Sequence, residues 1–256
     1  ARAGALFEQP RYLQAARRTA DFICRELRRT DGRLLRRWRR GQAAIPGFLD
    51  DYAFFCWGLL ELYQASYNPK DLQLALELVE AAQELFADGQ GGYYDSGRDG
   101  ETVLMRSRSR QDGALPTAGA VLARCQLQLA RLCDRPELTE RAESLLKGQL
   151  AAVANHPPAF AQALIALDEL LGPALEIVLV PGPGAPVPQE WLRQPRQRFL
   201  PGSLLLVASP DGSDNSSPLF AGKVALQGAP TAYLCRNRSC LAPVTSIEQL
   251  LRLIEA

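Results

Sequence analysis

The chain has 256 residues, 47% of them apolar, enough to bury a real core in one large domain or one domain with an appendage. Lys and Arg number 29 against 28 Asp and Glu, so no global field draws it to nucleic acid or an anionic membrane, and any partner must be recognised locally. No apolar run approaches the roughly 18 residues needed to span a bilayer, which excludes a transmembrane reading. The opening Ala1-Arg2-Ala3-Gly4 carries neither an initiator Met nor an apolar signal core. That end is expected to be processed or cut from something longer, and the compartment is not legible from it.

In chain order, residues 11–29 place Leu13, Ala16, Ala20, Ile23 and Leu27 at three- and four-residue steps, with arginines between them, which predicts an amphipathic helix. Residues 51–66 are apolar on nearly every side, so that helix must be enclosed by others. The alternation repeats with an amphipathic helix over 69–87 and a more apolar one over 117–133. It repeats again with 136–154 amphipathic and Ala159 to Leu171 apolar nearly all round, closing on Gly172. Three pairs of exposed then enclosed helix predict a mainly α fold of repeated αα-hairpins, outer helices wrapping inner ones.

The turns Asn68-Pro69-Lys70-Asp71 and Asp134-Arg135-Pro136-Glu137 each offer a capping residue with an acid three positions later. The connections into the first two inner helices, 31–49 and 88–116, are long, and long ordered loops usually carry function. Every inner helix would start at that face, so positive dipole ends would surround one mouth and favour polar or anionic ligands. After Gly172 the pattern changes to short apolar runs at Glu176 to Val180 and Leu204 to Ala208, read as buried, parallel strands. A short helix near Gln189 to Arg193, a strand near Thr231 to Cys235 and a last helix from Ser246 to Glu255 complete a small α/β tail. Ser209 to Pro218 reads as a turn-rich, mobile stretch. The expected division is a helical unit over 1–172 and the tail over 173–256.

The long loops collect polar residues expected at the mouth: Asp50, Asp51 and Tyr52; Gly91-Gly92-Tyr93-Tyr94-Asp95; and Gln111-Asp112-Gly113. Glycoside chemistry needs one carboxyl group to protonate the leaving oxygen and a second as base or nucleophile, with aromatic rings to hold the sugar. Asp51 and Asp112 are the candidate catalytic pair, with Asp50, Tyr52, Tyr94, Asp95 and His156 as candidate ligand contacts. The competing structural reading makes Asp51 a helix cap, Asp112-Gly113 a turn and the tyrosines packing residues. His156 is the only histidine, so a two-imidazole proton shuttle is disfavoured.

Cys24, Cys56, Cys125 and Cys133 fall within helical patterns as free thiols, while Cys235 and Cys240 can close a local disulfide or serve in thiol exchange. They lack the second Cys/His pair of a zinc site, so no metal is expected, and no cofactor. Arg36-Arg37-Trp38-Arg39-Arg40 reads as a solvated hairpin arm rather than a nucleic-acid surface. Gly182-Pro183-Gly184 lacks the order of a dinucleotide fingerprint, and no serine has a hydrolase setting.

The segments Ile45-Pro46-Gly47-Phe48-Leu49-Asp50-Asp51-Tyr52-Ala53, Gly91-Gly92-Tyr93-Tyr94-Asp95, Asp112-Gly113-Ala114 and Ala232-Tyr233-Leu234-Cys235-Arg236-Asn237 resemble, in sequence and in order, the spermatogenesis-associated protein 20 family. Such proteins are similar to bacterial proteins in which a thioredoxin-like domain precedes a six-hairpin (α/α) toroid related to glycosidases and sugar epimerases. The resemblance implies that this chain is a partial toroid of three helical hairpins, glycosidase-like in fold and followed by a small α/β tail. It implies partners in the form of a carbohydrate ligand and of the missing toroid half and thioredoxin-like domain of a parent protein, with a role in spermatogenesis or fertility. It points to Asp50, Asp51, Tyr52, Tyr94, Asp95 and Asp112 as mouth-lining positions.

The chain departs from the family pattern at Pro116-Thr117-Ala118-Gly119-Ala120, where relatives resemble Pro-Ser-Gly-Asn-Ser, and at Arg106-Ser107-Arg108-Ser109-Arg110, which replaces an acidic-looking stretch. The expectations are therefore a carbohydrate-active toroid, a non-catalytic scaffold for a thioredoxin-like domain, or a redox role through Cys235 and Cys240.

Overall fold

The structure, a computed structural model, describes residues 1–101, 104–209 and 217–255. Most of the turn-rich stretch expected at 209–218 lies outside the described residues. The chain opens with a short helix α1 (Arg2–Leu6) and helix α2 (Pro10–Phe22), whose last turns widen into a π-helical stretch at Ile23–Leu27. A hairpin of β1 (Leu35–Arg39) and β2 (Gln42–Pro46) follows, turning at Arg40 and Gly41, both at positive φ as a tight two-residue hairpin requires. The basic run is therefore a hairpin arm, with Trp38 edge-on against Phe22 at 5.8 Å between centroids.

The helices that follow are α3 (Leu49–Ser66), α4 (Pro69–Phe86), α5 (Ala118–Cys133), α6 (Pro136–Lys147), α7 (Leu150–Asn155) and α8 (Ala161–Leu171). The inner layer is α3, α5 and α8, each packed on the next, and α2, α4 and α6 lie outside them. This is the mainly α, partial (α/α) toroid that the alternation predicts. It arises because α5 buries Val121, Leu122, Leu129 and Leu132 among small residues such as Ala120, Ala123 and Ala130, which let its neighbours approach closely. Asn68 caps α4 through the Lys70 amide, as expected.

Three expectations change. The single helix over 136–154 breaks at Gly148 into α6 and α7. Asp134 does not cap α6; it closes α5 in the left-handed conformation, and Glu137 instead pairs with Arg135. Nor is α8 enclosed: a one-turn 3-10 helix at Pro157–Phe160 precedes it, only Gln162, Ala163 and Ala166 are buried, and Leu171 is 80% exposed.

Beyond Gly172, β3 (Leu175–Val180), helix α9 (Gln189–Arg196), β4 (Leu204–Val207), β5 (Thr231–Arg236), β6 (Ser239–Cys240) and helix α10 (Ile247–Glu255) form the small α/β unit. The sheet order is β4-β3-β5-β6, with β3 and β4 parallel as predicted and the other pairs antiparallel. Strand alternation assigns its two faces. Val178, Val180, Leu204 and Leu206 join the helical core, while Ile177, Leu179, Leu205 and Leu234 pack beneath α9 and α10.

Arg131, near the end of α5, fastens the sheet to the helices. Its Nε donates to Glu176 Oε1 at 2.9 Å, Nη1 to the Gly202 carbonyl at 2.7 Å and Nη2 to the Leu175 carbonyl at 2.8 Å. Replacing Arg131 with Ala leaves the buried Glu176 carboxylate without its partner, and breaking a buried pair from one side costs about 3–5 kcal/mol. A fall of that size in the unfolding free energy, read from urea titration, is the expected outcome.

Candidate functional site

Each inner helix starts at one face, and the long loop over 88–116 holds those starts together. The Leu49 amide donates to the Asp95 carbonyl at 2.9 Å, and the Asp95 carboxylate receives the Ser109 amide and hydroxyl, each at 3.0 Å. Asp112 reaches two helices at once: Oδ1 accepts from the Thr117 amide (2.8 Å) and hydroxyl (3.1 Å) at the start of α5, and Oδ2 accepts from the Gln162 amide at 2.8 Å at the start of α8. One carboxylate thus satisfies orphan donors on two helix ends and meets two positive dipole ends. The turn below is fixed by Asp88, which accepts from the Gln90 and Gly92 amides and pairs with Arg108 at 2.7 Å. Burial raises its carboxyl, but those bonds outweigh burial and hold it below the usual carboxylate range.

Asp50 and Asp51 open α3. Arg36, from β1, donates to Asp50 Oδ1 at 2.7 Å, to Asp50 Oδ2 at 3.1 Å and to Asp51 Oδ2 at 3.0 Å, and the Asp51 carboxylate also accepts from the Phe48 amide at 2.8 Å. Burial nonetheless raises the Asp51 carboxyl, its amide bond lowering it and the Asp50 charge raising it further.

Both acids line a cleft of about 740 Å³ between α1, α2 and the inner face of α3. Its floor is a stripe of α3 at helical spacing: Asp50 and Asp51, Phe54, Trp57 and Gly58, then Glu61, which accepts from the Trp57 indole at 3.1 Å. Gly58 is exposed in mid-helix, and a Cβ added there would meet nothing within 4 Å. An interior helical glycine costs about 1 kcal/mol relative to alanine, and no packing contact requires this one. Its effect is to keep the floor of the cleft low.

The other predicted contacts lie elsewhere. Tyr52 is a correction: its ring is fully buried, and its hydroxyl accepts from Arg33 Nη1 and the Leu34 amide, both at 2.9 Å, on the side of α3 away from the cleft. Tyr94 lies beneath the guanidinium groups of Arg106 and Arg108, at 4.1 and 4.4 Å, and does not line the cleft; nor do Asp95 and Asp112. His156 is exposed between α7 and the 3-10 turn, where its amide donates to the Ala152 carbonyl and its carbonyl accepts from the Ala159 amide. Cys235 and Cys240 form a disulfide across the β5–β6 hairpin. Cys56 and Cys125 are buried free thiols in α3 and α5, and burial pushes the Cys56 thiol well up. Among the described residues no cluster of three or more His, Cys, Asp or Glu could hold a metal ion, and no helix is long and apolar enough to cross a membrane.

The residues missed from sequence are Phe54, Trp57, Gly58 and Glu61. The signal was present, since Asp50, Asp51, Gly58, Glu61 and Gln64 interrupt an otherwise apolar helix and share one flank of it.

No family model matches the chain. Spermatogenesis-associated protein 20 of Homo sapiens is 29% identical over 98% of this chain and 34% of its own length. The Rattus norvegicus protein of the same name is 30% identical over 81% of this chain and 27% of its own. An uncharacterized Caenorhabditis elegans protein is 29% identical over 95% of this chain and 34% of its own. The resemblance drawn from the motifs is thereby borne out, and the chain spans between about a quarter and a third of the length of these relatives. Among solved structures, a cellobiose 2-epimerase from Bacillus thermoamylovorans is similar over 57% of this chain and 40% of its own, with a TM-score of 0.47 and 17% identity.

Two outcomes are expected at this site. Asp112→Ala removes a cap from both α5 and α8, at about 1 kcal/mol for each helix, so the unfolding free energy should fall by about 2 kcal/mol. The folded chain holds a proton on Asp51 at higher pH than the unfolded chain does. Its contribution to stability therefore declines as pH rises from the ordinary aspartate range through the raised value. Denaturant titrations across that window should show Asp51→Asn gaining on the parent as pH increases.

Proposed function

We propose that this chain is a saccharide-binding segment of a longer protein, holding its ligand in the cleft on the inner face of α3 without cleaving it. The observation that carries this reading is the composition of that cleft floor. Phe54 and Trp57 offer ring surface to the C–H face of a sugar, while Asp50, Asp51 and Glu61 accept hydroxyl protons on either side of a glycine that leaves room for the ring. By similarity to relatives named for spermatogenesis, the role belongs to that process.

The reading stops short of hydrolysis because the candidate pair is committed elsewhere. Asp112 spends both oxygens on helix amides, outside the cleft, and Asp51 is engaged by Arg36 and by its own capping bond. A glycosidase needs one carboxyl group free to give a proton and a second free to receive one or attack. Asp51 keeps Oδ1 toward the cleft, but Asp112 lies outside it with both oxygens bonded, so the two cannot act as a pair.

Thermal shift against mono- and oligosaccharides tests the reading, with Gly58→Leu as the control. A leucine at 58 fills the open space over the cleft floor and removes the helical cost of glycine, so it should raise the melting temperature slightly while abolishing the response to saccharide. Trp57→Ala should weaken the response. If no saccharide stabilises the parent chain, or if Gly58→Leu responds as the parent does, the cleft is not a saccharide site.

A further inference from the structure

A second, narrower cleft of about 360 Å³ lies between the inner helices and the α/β unit. We propose that it is an anion site, and that the ligand of this chain is accordingly an acidic saccharide, one carrying a phosphate or carboxylate group; the saccharide half of this statement rests on the reading of the first cleft. Four arginines line the second cleft, Arg2, Arg124, Arg196 and Arg198, against two carboxylates, Glu61 and Glu169.

The pairing of these charges decides what the cleft can take. Arg124 donates to Glu169 at 2.6 Å, and Arg198 pairs with Glu255 at 3.1 Å. Among the described residues Arg196 meets only neutral acceptors: its Nη2 donates to the Gln64 carbonyl at 3.2 Å and to the Tyr67 hydroxyl at 3.1 Å, and Nε and Nη1 make no bond. Arg2 has no carboxylate partner among the described residues. A half-buried guanidinium with free donors and no counter-charge is the group that gains most from an incoming anion, and its planar fork matches a phosphate or carboxylate.

The two clefts adjoin. Arg2 and Glu61 line both, and the Arg124 guanidinium lies 5.6 Å from the centre of the Trp57 ring, so the wall of one cleft is the edge of the other. A sugar ring over Gly58 would therefore have its charged substituent directed toward Arg196. Opposite it, the Glu169 side chain is buried and held by Arg124, with Gln128 against the same carboxylate, so it does not compete with the anion.

Titration calorimetry of the parent chain with glucose, glucose 6-phosphate, glucuronate and inorganic phosphate tests the inference. A charged hydrogen bond to an arginine is worth enough to separate acidic from neutral sugar by about tenfold or more in affinity. That preference should shrink toward unity in Arg196→Gln and partly in Arg2→Ala. Arg2→Ala removes a side chain with no carboxylate partner among the described residues and serves as the variant least coupled to folding. Whether glucose 6-phosphate or glucuronate gains more identifies the anion. Equal affinity for glucose and both acidic sugars, or a preference unchanged in both variants, overturns the inference and leaves the saccharide reading standing. Binding of inorganic phosphate, lost in Arg196→Gln, with no sugar bound at all, overturns the saccharide reading and retains the anion site. No binding by any of the four overturns both.

Discussion

Helix α5 is enclosed on every side, and much of the molecule follows from that. It buries thirteen of its sixteen residues, so each polar side chain it carries must find a partner in a neighbouring element. Gln126 donates to the Tyr93 hydroxyl and so holds the loop after α4; Arg124 takes Glu169 of α8; Arg131 takes Glu176 of β3. Three side chains of one helix thus fix the positions of a loop, an inner helix and a sheet. Leaving any of them unpaired would expose the chain to the full desolvation penalty of a buried polar group.

The same logic explains why the acids that look most like catalysts are structural. A helix start offers donors and a positive end, and a carboxylate that arrives there is stabilised before any substrate is present. Asp51 and Asp112 both sit at inner-helix starts, and Asp112 serves two. The inner faces of the helices, one to three turns further along, lack that pull. The carboxylate there that lines the cleft, Glu61, takes only the Trp57 indole among the described residues.

The hairpin repeat was legible because packing two layers of helices imposes a three- and four-residue spacing that survives in the sequence, and the parallel pair β3 and β4 because strands buried on both faces read as continuous apolar runs. The π-helical widening at Ile23–Leu27 and the break at Gly148 depend on tertiary packing and leave no periodic signal. Tyr52 was misplaced for a geometric reason. Successive helical residues point about 100° apart, so three consecutive residues at a helix start cannot share a face, and the third turned into the core. Trp57 and Phe54 were read as enclosure because an aromatic stripe has the same appearance in sequence whether it meets a neighbour or a cleft. Only the position of α1 and α2, packed over α3, decides which it is.

A formal charge of +1 excludes a long-range field but says little about the interior of a cleft. The arginines of this chain are mostly neutralised pair by pair: Arg17 by Asp71, Arg36 by Asp50 and Asp51, Arg131 by Glu176. Because the field of an ion pair largely cancels beyond its own contact, what remains visible to a ligand is set by the guanidinium groups whose partners are neutral. Arg196 is held by a carbonyl and a phenol, which position the group without cancelling its charge. A near-neutral protein can in this way present a localised positive site, screened from solution by its own walls and reached only by a ligand small enough to enter.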